Sequence, residues 1–152
     1  MNRLQKFRAL TTSEKAVFLR ASTLFPLVAI ALRVLGMRGC QKLLGRLSLM
    51  LPGAPTLGRV RVAHLVNIAA YHGLYTANCL QRSLALSFEL QRVGIENQLR
   101  IGISNDGQFK AHAWIEHEGA VLNDSPEVLR EYSPFPEAID ITSRRVRRRF
   151  IA

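Results

Sequence analysis

Cys79 in Asn78-Cys79-Leu80-Gln81-Arg82-Ser83, His112 in Ala111-His112-Ala113-Trp114 and Asp124 in Leu122-Asn123-Asp124 are the residues whose types can break an amide bond together. A thiolate attacks the carbonyl, an imidazole takes the thiol proton, and a carboxylate fixes the tautomer and orientation of the imidazole. Each residue has a plainer role as well. A lone cysteine is more often a small buried apolar side chain than a nucleophile. A histidine on a strand is commonly structural, and an aspartate before Ser125-Pro126 can simply cap a turn. The positions of the elements that carry them decide between these roles.

Cys79 opens a predicted helix over residues 79–93, after a loop over 74–78 and before Gly94 as C-cap. The positive end of a helix favours a thiolate, and its free N–H groups can hold an oxyanion. Asn78 and Trp114 are candidates for oxyanion or substrate contacts, with burial in the core as the alternative for Trp114. Cys79, Ser83, Leu86, Leu90 and Val93 share one helix face. Asn78, Arg82, Ala85, Glu89 and Arg92 line the opposite face, expected to be wetter.

Past Gly94 the apolar period falls from 3.6 to 2, which predicts an antiparallel meander. Asp106-Gly107 reads as a two-residue hairpin turn, 108–116 as the second strand, 117–119 as a three-residue turn and 120–124 as the third strand. That register sets Glu116 opposite Ala120 and His112 opposite Asp124. Opposite residues share a sheet face with β-carbons about 5 Å apart. The same counting sets Ile101 opposite His112 and Leu99 opposite Trp114. The face holding His112, Trp114, Ile101, Leu99 and Leu122 is then the one expected to receive the cysteine helix. The reverse face, with Phe109, Ala113, Ile115 and Val121, is expected to be covered by the N-terminal helices. A slip of one residue would exchange the two faces.

The rest of the chain supplies those helices. Thr11 and Glu14 form a predicted capping box for a helix to about residue 24. Pro26 either kinks that helix or opens a second one, ending near Gly36. A third covers 40–50, with Cys40 in its core, and a fourth covers 59–72, ended by Gly73. The 152 residues read as one α+β domain in three parts: a helical layer over 1–58, a core over 59–130 and an irregular basic tail over 131–152. The Pro- and Gly-rich stretch 52–58 is a break within that domain.

Two cysteines give no disulfide framework and no CxxC metal pair, so a reducing cytoplasm is expected. His64 and His72 lack metal-ligand spacing, and His117 is expected to be exposed in its turn. The apolar run 24–32 is shorter than the roughly 20 residues that cross a membrane. The formal charge is +10, and five arginines lie in 144–149. Such a tail is either solvated or directed at an acidic protein, an anionic membrane surface or, last for want of a recognition motif, nucleic acid.

The segments Cys79-Leu80-Gln81-Arg82-Ser83-Leu84-Ala85-Leu86, Ala111-His112-Ala113-Trp114-Ile115-Glu116 and Leu122-Asn123-Asp124, at intervals of 33 and 12 residues from Cys79 to His112 to Asp124, resemble the lasso-peptide B proteins. The likeness is to their leader-peptidase portion, a transglutaminase-like cysteine protease. It covers roughly residues 10–130. It implies a papain-like core in which a cysteine-bearing helix packs on an antiparallel sheet. It implies Cys79 as nucleophile, His112 as base and Asp124 as its orienter, cutting the leader from a ribosomally made precursor. It also implies a partner cyclase that uses ATP, with no cofactor held by this chain. The winged-helix unit of many relatives has no counterpart in 1–58, which points to a separate leader-binding protein. An amide-forming acyltransferase on the same triad and a non-catalytic scaffold are the alternatives.

Overall fold

The computed structural model describes residues 3–53, 56–73, 75–136 and 139–140. A short helix α1 (Arg3–Arg8) precedes α2 (Thr12–Met50), and Phe7 packs edge-on against Phe18 between them. The expected capping box is present: Thr11 Oγ1 accepts from the Glu14 amide while the Glu14 carboxylate accepts from the Thr11 amide at 2.8 Å. Pro26 is accommodated within the helix. The interruption comes at Gly36, whose φ of 67° and ψ of −177° only glycine adopts at little cost. The three helices expected over 12–50 are therefore two limbs of one kinked element. By length and composition α2 is apolar enough to cross a membrane, a property the short run 24–32 did not suggest. Several of its residues, among them Ala21, Phe25, Val28, Cys40 and Leu44, belong to the protein's core.

Helix α3 (Arg59–His72) and helix α4 (Cys79–Arg92) begin and end close to where the periodicity puts them. What differs is the environment of α4. Every residue from Gln81 to Gln91 is buried, so no wetter face exists and Arg82, Ala85 and Glu89 are enclosed. The reason is its position. Helix α4 lies between the sheet on one side and α2 and α3 on the others. Polar groups pulled inside in this way need partners, and most have them, the Arg82 Nε being a buried atom without one among the described residues. Glu89 accepts two bonds from Arg20 of α2 at 2.9 and 2.8 Å, Ser87 bonds Asn97 at 2.6 Å, and Ser48 bonds Gln91 at 3.1 Å.

Five strands follow: β1 (Gln98–Ser104), β2 (Ala111–His117), β3 (Ala120–Val121), β4 (Tyr132–Pro134) and β5 (Ile139–Asp140), with helix α5 (Val128–Glu131) before β4. The sheet order is β3-β2-β1-β4, all neighbours antiparallel, and β5 also pairs with β1. Strands β4 and β5 occupy part of the stretch expected to be irregular. Pro134 is tolerated because β4 is an edge strand, where a missing N–H faces no neighbour. The expected basic tail over 144–149 lies outside the described residues.

The register is one residue away from expectation at both hairpins. Asp106 does not sit in a two-residue turn. Its carboxylate accepts from Ser104 Oγ at 2.6 Å and from the Gln108 amide at 2.9 Å, which organises a longer loop. His112 therefore pairs with Gly102, and Leu99 with Ile115. At the second hairpin Glu118 and Gly119 both have positive φ, 50° and 78°, and form a two-residue turn that pairs His117 with Ala120. The slip exchanges the faces. Leu99, Ile101, Ala113 and Ile115 form the face packed with the core and α4, while His112 and Trp114 lie on the reverse face. Helix α2 packs chiefly on α4 and α3 and does not cover the sheet, and Phe109 is exposed.

Candidate active site

With the observed register, an uninterrupted ladder would set His112 against Ser125, not Asp124. The ladder is interrupted. Leu122 donates its N–H to the Ile115 carbonyl at 2.9 Å, but the Ile115 N–H goes to the side-chain Oδ1 of Asn123 at 2.8 Å. Asn123 is almost wholly buried. Its Nδ2 donates to Ser83 Oγ at 2.9 Å, and its carbonyl accepts from Asn67 Nδ2 at 3.1 Å. Ser83 Oγ in turn donates to the Ala113 carbonyl at 3.1 Å. One residue, through its side-chain amide and its main-chain carbonyl, thus ties α3, α4 and β2 just before Asp124, and the chain leaves the sheet there.

That departure carries Asp124 to His112. Nε2 of the imidazole lies 2.6 Å from Asp124 Oδ2. Where the carboxylate is ionised it only accepts, so Nε2 donates to it, and in a neutral ring that leaves the lone pair on Nδ1. The other carboxylate oxygen, Oδ1, accepts from the Ser125 amide at 2.8 Å. Arg82 completes the clamp, its Nη2 lying 3.5 Å from Oδ2. Arg82 Nη1 also donates to Tyr71 Oη at 2.6 Å, and the guanidinium sits 5.5 Å from the Tyr71 ring centre.

The imidazole ring is held on its faces too. Tyr132, brought by β4, stacks on it with centroids 5.0 Å apart, and Trp114 lies 6.3 Å away at a small interplanar angle of 22°. Gly102, opposite His112, makes this possible. A β-carbon there would come within 2.9 Å of the Ser133 carbonyl and 3.0 Å of the Trp114 ring. Trp114 itself is fully buried and donates its indole N–H to Glu116 at 2.8 Å. It braces the imidazole and is closed to direct substrate contact.

Cys79 stands at the first position of α4 as a half-buried free thiol. Asn78 is the N-cap: its Oδ1 accepts from the Gln81 amide at 2.9 Å while Gln81 Oε1 accepts from the Asn78 amide at 3.1 Å. That side chain is engaged in capping the helix and is not free for the oxyanion or substrate contact expected of it. The Gln81 and Arg82 amides are both taken by Asn78, which leaves the N–H groups of Cys79 and Leu80 at the helix start. Ser83 sits on the face of Cys79, one turn or about 6 Å further along the axis, and it touches the strand residue next to His112. The pair closed in this structure is His112 with Asp124. Among the described residues the sulfur forms no hydrogen bond to the imidazole.

A cleft of about 410 Å³ opens beside the pair, lined by Tyr71, Arg82, His112, Asp124, Glu127, Glu131 and Tyr132 among others. A larger cavity of about 680 Å³ lies at the other end of β2, around Glu96 and His117, and touches no member of the constellation. His117 is not the exposed turn residue expected. It ends β2, half-buried, with its ring bonded to the Glu96 carbonyl. Cys40 is fully buried, and burial pushes its thiol up, away from ionisation. Of the residues missing from the expectation, Ser83 and Arg82 carried a signal, since they follow Cys79 at four and three residues. Tyr132 carried none, because it lies in the stretch read as irregular.

A family model described as the transglutaminase-like superfamily matches residues 23–137. Neither a curated protein nor a solved structure matches the chain.

Proposed function

The chain belongs to the transglutaminase-like superfamily, which includes cysteine peptidases and acyltransferases, and on that premise we propose that it is a cysteine peptidase working through Cys79, His112 and Asp124. The observation that carries the proposal is the 2.6 Å contact between Asp124, just past the sheet, and His112, on a strand packed against the helix that Cys79 opens. In the proposed cycle Nδ1 of His112 takes the Cys79 proton, and the thiolate attacks the scissile carbonyl. The imidazolium then passes its proton to the leaving amine, and an acyl-enzyme remains. Water, deprotonated by the same imidazole, releases the acid and frees the thiol. Asp124, clamped by Arg82 and the Ser125 amide, holds the imidazole throughout, and the Cys79 and Leu80 N–H groups face the developing oxyanion.

The substrate we propose is a ribosomally made lasso-peptide precursor, cut between leader and core in the cytoplasm. A separate winged-helix protein would present the leader, and a separate ATP-using cyclase would close the ring. The support is the similarity of the Cys79, His112 and Asp124 segments and their spacing to the lasso-peptide B proteins. Amide formation is the second reading, since an amine can replace water in the last step of the same cycle.

The test is incubation of precursor and leader-binding protein with this chain, followed by mass spectrometry of the products, with and without added amine. Leader release by the wild type and none by Cys79→Ala is the expected result. Amine adducts in place of the free acid select the transferase. Equal maturation by Cys79→Ala makes the chain a scaffold and ends the proposal.

A further inference from the structure

The two limbs of α2 that meet at Gly36 present different surfaces. Before the kink, Leu27, Ile30 and Val34 follow helical spacing and are 59%, 61% and 73% exposed, and Leu35 beside them is exposed too. After the kink, Arg38, Lys42 and Arg46 form a second exposed row at intervals of four. Arg33, also exposed, borders the apolar row. Beyond Glu14 the helix contains no acidic residue at all, and Glu14 itself is paired with Arg61. Only 28% of the most apolar window of α2 is buried. A β-carbon at Gly36 would meet nothing within 4 Å, so the bend itself projects into open space.

We infer that this elbow docks the protein on an anionic lipid surface. An exposed apolar row bordered by Arg33 and followed on the next limb by exposed Arg38, Lys42 and Arg46 suits a helix lying in a membrane interface, with lysine and arginine reaching the headgroups. The charge decides among occupants. A second copy would bring the same basic row against itself, and the arginine-rich segment 144–149 has the same sign. An acidic protein would satisfy the charge but would need a groove matched to a projecting bend, whereas lipid deforms around it. The helix lies on the surface and does not span it, because Phe25 and Val28, on the same limb as the exposed apolar positions, are fixed in the protein's own core.

The experiment is co-sedimentation of the full chain with vesicles of phosphatidylcholine alone and of phosphatidylcholine with 30% phosphatidylglycerol (~0.3 mole fraction). The expected result is binding to the anionic vesicles only, weakened by salt. Ile30→Ser with Val34→Ser should lower that binding roughly tenfold or more. These positions are exposed, so thermal unfolding should be unchanged, and that measurement confirms the fold. A chain ending at residue 143 should keep most of the effect of the elbow substitutions. Binding that vanishes with the tail and ignores the Ser substitutions overturns the inference. So does a chain that ignores vesicles but self-associates, or captures a protein partner, through the same residues.

Discussion

Helices α2 and α4 invert the usual relation between composition and burial. Helix α4 carries glutamine, arginine, serine and glutamate through its middle, yet all of it from Gln81 to Gln91 is enclosed. Helix α2 is the apolar one, yet Leu27, Ile30 and Val34 face outward. Burial here follows position in the stack and not residue type. An element set between a sheet and two helices is buried whatever it contains, and its polar groups must then find partners inside. Two of the enclosed polar side chains of α4, Arg82 and Ser83, consequently help to build the candidate site. The exposed apolar side chains of α2 are left free for another surface.

The comparison can be broken most severely at the first residue of α4. Cys79→Ala should reduce turnover by on the order of 10⁴-fold or more while leaving unfolding unchanged. The equivalent change in α2, Cys40→Ala, should leave turnover near wild type and lower stability instead. Iodoacetamide should modify Cys79 in the native protein and reach Cys40 only after denaturation, because Cys40 is fully buried with its thiol pushed up. Peptide mapping before and after denaturant reads both sites.

Next in size is Asp124→Asn, which keeps the shape but reverses the tautomer preference of His112. A loss of about 10²- to 10⁴-fold in kcat with little change in KM is expected from steady-state kinetics. Ser83→Ala removes a hydroxyl that bonds both the Ala113 carbonyl and Asn123. It should cost about 1–3 kcal/mol in denaturant unfolding, because two buried groups lose their partner. Smallest of all, Ile30→Ser on α2 should shift stability by no more than about 0.5 kcal/mol, as exposed positions do. If Ile30→Ser cost as much as Ser83→Ala, the proposed contrast between the two helices would be lost.

A pH measurement sharpens the same contrast at the start of α2. The Thr11 amide first, and then Arg61, hold the Glu14 carboxyl below its ordinary value. A carboxyl lowered in the folded state stabilises above its unfolded value and loses that contribution as pH falls through its folded value. Glu14→Gln should therefore destabilise at neutral pH and converge with wild type in acid.

The helices were legible because their signals are local. The Thr11 and Glu14 box, the Arg59–His72 stripe and Cys79 at a helix start all need only neighbours within four residues. The hairpins were legible as hairpins but not in register, since a single residue in each turn decides it. Glu118 at positive φ and the Asp106 carboxylate folded into its loop were the deciding residues. The contact between His112 and Asp124 was expected for a reason that does not hold. Straight counting does not bring them together in the observed register. The side chain of Asn123, breaking the ladder at Ile115, does. Burial of Arg82 and the arrival of Tyr132 depend on how layers stack and on an edge strand, neither of which a period reveals.

The enclosure of α4 has a consequence for when and where the protein breathes. Amides in its middle should exchange with deuterium only through near-global opening, while the rim formed by β4 and the exposed loop before β2 should exchange through small local fluctuations. The sulfur therefore sits at the end of the most protected segment, and the aromatic ring of Tyr132 over the imidazole sits on one of the least protected. In the proposed peptidase, motion that admits a substrate would then come from the rim without loosening the helix that anchors Cys79.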